Sequence, residues 1–164
     1  MMKAAVPGYS NHSYSECDGI ITLNNSPVNR QCRKLRIAVP LIGHVAAGSP
    51  IDSPQHFECM LQVDPSLFDF TPDYFLKVRG CSMINVGIMD GDLIGVHKVD
   101  PSMIRNGQIV IARVNQSDVT VKRYRHDGDK VWLMPENDEM SPIVVDLQRD
   151  SLDIDGIYVG LFQE

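Results

Sequence analysis

From Ile37 onward the chain alternates short apolar runs with polar turns. Runs rich in β-branched and aromatic residues predict strands over 74–79, 93–99, 108–114, 119–124, 131–134, 143–145 and 157–162. Turn residues fall between them: Asp90-Gly91-Asp92, Asn106-Gly107, Asn115 to Asp118, Asp127-Gly128-Asp129 and Asp155-Gly156. Short strands at such regular spacing predict a mostly β domain of the sandwich or barrel-like kind. Helix is scarce, with single turns expected over 65–68 and 82–86. The runs at 108–114 and 119–124 predict a hairpin. In its second strand Val119 and Val121 share one face, and Thr120, Lys122 and Tyr124 the other. By position alone, a lysine in the middle of a strand is expected to face solvent.

Residues 1–36 have a different texture. Ser, Asn and charged residues dominate, and Pro7, Gly8, Gly19 and Pro27 interrupt them. The one apolar run is Ile20-Ile21-Thr22-Leu23. A flexible or weakly ordered N-terminal arm, with one short strand, is expected there. Arg30, Arg33, Lys34 and Arg36 form a basic cluster at its end. Contact with phosphates is conceivable, but no aromatic or helical pattern accompanies the cluster, so a solvated linker is the expectation. The folded domain is expected over 37–164.

Charge and cysteine content narrow the classes. The net charge is −6, which argues against the whole chain being a nucleic-acid binder. Cys17, Cys32, Cys59 and Cys81 form no C-x-x-C pair, and the H-x-x-C of His56 and Cys59 lacks a second ligand pair. Neither a metal site nor a cofactor is expected. Met1 to Ser10 contain no apolar leader core, and no stretch approaches the roughly 18 apolar residues of a membrane span. A reduced, cytoplasmic protein without membrane attachment is the expectation.

Gly80-Cys81-Ser82-Met83 follows the run at 74–79 directly. Gly80 permits a sharp turn that would leave Ser82 at the strand's end near backbone N–H groups, a setting suited to a nucleophile. A serine there more often caps a turn, and Ile84 stands where a G-x-S-x-G elbow has its second glycine. For a base, His97 with Asp90 or Asp92 competes with a lysine. The two aspartates read better as hairpin turn, and His97 as mid-strand. A lysine base must be neutral. Moving one from its reference pKa to neutrality at pH 7 costs about 4.6 kcal/mol. Burial supplies shifts of up to roughly 3–5 pH units. Serine–lysine chemistry therefore requires a desolvated Lys122.

Seven stretches in this order resemble the catalytic domain of LexA-type SOS repressors, related to UmuD and to self-cleaving phage repressors. They are PLIGHVAAGSP (40–50), QVDPSLF (62–68), VRGCSM (78–83), GIMDGDLIGVHK (87–98), RNGQIVIARV (105–114), VTVKRY (119–124) and MPENDEMSPIVVDL (134–147). The resemblance covers about three quarters of the chain. It implies a peptidase S24 domain of the LexA/signal-peptidase-like β fold, with Ser82 as nucleophile, Lys122 as general base and Ala47–Gly48 as the chain's own scissile bond. The cleavage segment would lie at about 40–52. It further implies a homodimer whose self-cleavage is stimulated by a RecA–single-stranded-DNA filament, relieving transcriptional repression in the SOS response. Such a repressor carries a winged helix-turn-helix ahead of this domain. Residues 1–36 are too short and too broken to form one, which leaves DNA binding by this chain without a visible carrier. A UmuD-like accessory factor for translesion synthesis and a non-catalytic dimerisation module are the alternatives. Cys81 stands where LexA-type proteins have Met; a small buried residue is expected, a redox-sensitive one being the rival reading.

Overall fold

A computed structural model describes residues 36–43, 45, 48–51 and 53–162, together with the backbone alone of 21–23 and 26–28. Most of the expected arm over 1–36 lies outside these residues, as do Arg30, Arg33 and Lys34 of the basic cluster, whereas Arg36 is described and exposed. The chain divides into two compact units, Met1–Lys34 and Leu35–Glu164. In the first, β1 (Ile21–Leu23) pairs antiparallel with β2 (Ser26–Val28).

The second unit contains β3 (Ile37–Ile42), β4 (Phe57–Val63), β5 (Tyr74–Lys77), β6 (Leu93–His97) and β7 (Ile109–Val114). It continues with β8 (Thr120–Asp127), β9 (Lys130–Met134), β10 (Ile143–Asp146) and β11 (Leu152–Phe162). All nine form one sheet in the order β10-β9-β8-β7-β11-β6-β5-β3-β4. Among the described residues only β3 and β5 pair in parallel. The helical content described is four single 3-10 turns, two of them at the predicted positions, Pro65–Leu67 and Ile84–Val86.

The apolar pattern explains how one sheet makes a closed core. Tyr74 and Leu76 on β5, Ile94 and Val96 on β6, Ile111 on β7 and Val121 on β8 join one cluster with Met83 and Ile88. Their strand neighbours point the other way. Val110 and Ala112 enter a second cluster with Tyr124, Leu133 and Val145, and Phe75 and Leu93 a third with Val39 and Leu41. The middle strands are thus covered on both faces, which produces continuous apolar runs rather than alternation.

Three strands depart from the sequence reading. Asp155-Gly156 is not a turn: β11 runs through it, with a register shift between Ile154 and Gly156. A bulge absorbs the irregularity that the Asp-Gly pair signals. A Cβ at Gly156 would come within 2.5 Å of the His97 carbonyl oxygen, so the glycine serves close strand approach. The strand β3 contains Pro40, which reads against a sheet interior. Its pairing with β5 spans only Leu41 and Ile42, so the missing N–H removes no bond there. β4 is an edge strand whose first four residues are exposed, and it carries no alternating signal.

Candidate active site

The turn that carries Ser82 is held from three sides. The backbone leaves β5 and reverses at Gly80, whose φ of +86° suits glycine. Asp90 Oδ1 accepts the Gly80 N–H at 2.7 Å. Met83, 1% exposed, plugs into the first core cluster directly after the serine. The segment after β9 closes the third side. Glu136 N–H donates to the Ser82 carbonyl at 2.8 Å, and Asn137 Nδ2 donates to the Cys81 carbonyl at 2.9 Å. Asn137 is buried, and its Oδ1 accepts the Glu139 N–H. Glu136 in turn forms an ion pair with Arg123 of β8. Glu136 and Asn137 lie in the 134–147 stretch that carries part of the family resemblance. No local pattern marks an asparagine whose task is to hold a distant carbonyl.

Lys122 lies in β8, paired across the ladder with Val110. The solvent-facing position expected from its place in the strand is incorrect: Lys122 is 6% exposed. Both faces of β8 are covered, so the alternation that would point it outward does not operate. Its Nζ lies 2.7 Å from Ser82 Oγ, 2.9 Å from Thr120 Oγ1 and 3.0 Å from the Val121 carbonyl oxygen. Burial lowers its pKa from 10.5 to about 8. All three partners are uncharged, so none offsets the desolvation as a carboxylate would. A neutral amine fits this set well. Nζ donates to all three as they stand; an amine that has lost one proton keeps two N–H donors for Thr120 and Val121 and turns its lone pair to the Ser82 hydroxyl.

The two side chains meet in a cleft of about 440 Å³, whose walls include Gly43, Val45, Thr120 and Met140. Cys81 stands exposed at this cleft, contrary to the expected small buried residue. The Gly80 reversal aims Met83, not Cys81, into the core. His97 is not at the site. Its Nδ1 lies 2.9 Å from Asp73 Oδ2 and its ring stacks on Phe70. The Ser–His–Asp alternative fails for that reason, and Asp90 is occupied in bracing the Gly80 turn.

Of the expected scissile pair, Gly48 is described and Ala47 lies outside the described residues. Gly48 has φ of +74°. On either side of the pair, Val45 and Ile51 are each 4% exposed and sit in the same core cluster as Met83. Among the described residues no group of three or more His, Cys, Asp or Glu side chains could hold a metal ion. His56 is buried while Cys59 is exposed. No helix among the described residues is long and apolar enough to cross a membrane.

Comparison with known proteins adds the family. Residues 40–159 match the model of the family described as peptidase S24-like. A protein named LexA repressor in Aeromonas hydrophila subsp. hydrophila is 53% identical over 125 residues, covering 76% of this chain and 59% of that protein. Proteins of the same name in Aeromonas salmonicida and Pectobacterium carotovorum subsp. carotovorum are 52% and 50% identical over 125 residues, again 76% of this chain. The chain spans about three fifths of the length of these relatives, 59% and 60% respectively. Since the family match takes in the serine turn, the lysine strand and the cleft between them, the chain belongs to the peptidase S24-like family and is of the LexA type.

Proposed function

We propose that this chain is a self-cleaving serine endopeptidase in which Ser82 is the nucleophile, Lys122 the general base, and its own Ala47–Gly48 bond the substrate. The observation that carries the reading is the 2.7 Å contact between Ser82 Oγ and the Nζ of a buried lysine. In the proposed reaction Lys122 takes the Ser82 proton as Oγ bonds to the Ala47 carbonyl carbon. The tetrahedral intermediate then collapses, the C–N bond to Gly48 breaks, and Lys122 returns the proton to the leaving Gly48 amine. Water, deprotonated by the same lysine, hydrolyses the Ala47 ester. An intramolecular bond is presented at high effective concentration, so little binding affinity is needed.

The organisation follows: an arm over 1–36, a catalytic and dimerisation domain over 37–164, and a cleavage segment at about 40–52. The likeness to LexA repressors supports a cytoplasmic homodimer in the SOS response, with cleavage stimulated by a RecA–single-stranded-DNA filament and transcriptional repression relieved. The test is incubation of the purified chain at alkaline pH, with fragments identified by mass spectrometry. Products ending at Ala47 and beginning at Gly48 are expected, and none from Ser82→Ala or Lys122→Ala. An intact wild-type chain, or the same fragments from Ser82→Ala, contradicts the proposal.

A further inference from the structure

We infer that Arg113 is a positioning residue for self-cleavage: braced by Asp155, it grips the backbone just beyond the scissile bond and fixes that side of the cleavage segment. The inference rests on the reading of Ala47–Gly48 as substrate. Arg113, on β7, donates from Nη1 to the Ser49 carbonyl oxygen at 2.6 Å and from Nη2 to Asp155 Oδ1 at 3.1 Å. Its side chain is 15% exposed and that of Asp155 18%. A guanidinium is a rigid planar fork, so fixing one nitrogen on Asp155 aims the other. The bond to Ser49 is charge-assisted and short, the stronger kind.

Where the grip falls gives it meaning. Ser49 is the second residue after the scissile bond, and Val45 the third before it. Val45 is buried in the wall of the cleft that holds Ser82 and Lys122. The five-residue span from Val45 to Ser49 is therefore fixed at its two ends, by apolar burial before the bond and by a guanidinium after it. Near-attack geometry needs such fixing, since a displacement of about 1 Å costs on the order of a hundredfold in rate. Gripping a carbonyl rather than a side chain also leaves the contact indifferent to what residue 49 is.

The pair is poorly arranged for stability alone. Arg113 Nε and Asp155 Oδ2 are buried and make no hydrogen bond among the described residues. Burial raises the Asp155 pKa, a cost that the Arg113 charge only partly offsets. A buried pair with groups left unsatisfied adds little to folding, and is retained more readily where it holds something else. Asp155 itself stands in the β11 bulge, between the shifted register positions Ile154 and Gly156.

The test uses the full chain. Arg113→Ala should slow alkaline self-cleavage about tenfold to a hundredfold, the usual weight of one charged hydrogen bond. Arg113→Ala leaves a buried carboxylate alone, so Arg113→Ala with Asp155→Asn is made alongside and decides the matter if the single variant fails to fold. A second readout separates gripping from general stability. In the Ser82→Ala chain, added elastase, which cuts after small residues, should attack 45–49 faster once Arg113 is replaced, with the rest of the chain equally resistant. Self-cleavage at or above the wild-type rate in the foldable variants, or unchanged elastase access, overturns the inference. A wild-type chain that never cuts at Ala47–Gly48, yet shows the Arg113-dependent elastase access, removes the substrate reading and leaves the grip standing.

Discussion

Lys122 owes its chemistry to its surroundings, and those surroundings have a cost that can be measured. Its pKa is lowered from 10.5 to about 8 by burial. Below about pH 8 the amine is charged in folded and unfolded chains alike, and the folded state bears the full desolvation penalty. Between about 8 and 10.5 the unfolded chain binds the proton and the folded chain does not, so stability rises with pH; above that range the penalty is gone. At about 1.4 kcal/mol per pH unit the effect is on the order of 3 kcal/mol at most. Lys122→Met should therefore raise the thermal midpoint at pH 7, and its advantage should shrink as pH climbs through 8 to 10.5. Melting curves across that range check it; an advantage that does not vary with pH contradicts it. Asn137 matters in a different way. Asn137→Ala removes the donor to the Cys81 carbonyl and the acceptor for the Glu139 N–H without placing a charge near Lys122. Self-cleavage about tenfold slower with the midpoint of its pH dependence unchanged is the expected result, because the serine turn loosens while Lys122 keeps its environment.

At the level of elements, the sheet brings together residues forty positions apart. Ser82 comes off the end of β5 and Lys122 out of β8, and in the sheet order β6, β11 and β7 lie between those strands. β11 is the central piece, and Gly156 lets it pass β6. Gly156→Ala should destabilise the fold by about 1–3 kcal/mol, since the added Cβ meets the His97 carbonyl oxygen at 2.5 Å and backbone cannot yield cheaply. A denaturant midpoint unchanged from wild type would contradict this. The strands β5 to β10 were legible from apolar runs and Asp-Gly or Asn-Gly turns, because hairpins write their signals locally. β3 was hidden by Pro40 and β4 by an exposed edge, while the upstream half of β11 was hidden by a bulge that looks like a turn. The burial of Lys122 was invisible in its own strand. It depends on how the sheet curls, and only the requirement for a neutral amine pointed to it. Arg113 and Asn137 gave no sequence signal, because each acts on a backbone carbonyl far away in the chain.

For the whole molecule, the proposed reaction makes enzyme and substrate one chain. Its rate should then be first order, with a half-time unchanged over a hundredfold dilution. A half-time that lengthens on dilution would point to cutting between chains. The open cleft suits this arrangement, because a tethered segment anchored at Val45 and Ser49 needs no deep pocket to retain it. The most direct test of the dyad is the pH–rate profile of scission at Ala47–Gly48, followed by mass spectrometry in the wild-type chain. The rate should climb about tenfold per pH unit and level off above a midpoint near the Lys122 pKa of about 8. A rate independent of pH between 6 and 10, roughly the span in which a buried lysine titrates, would contradict a lysine base.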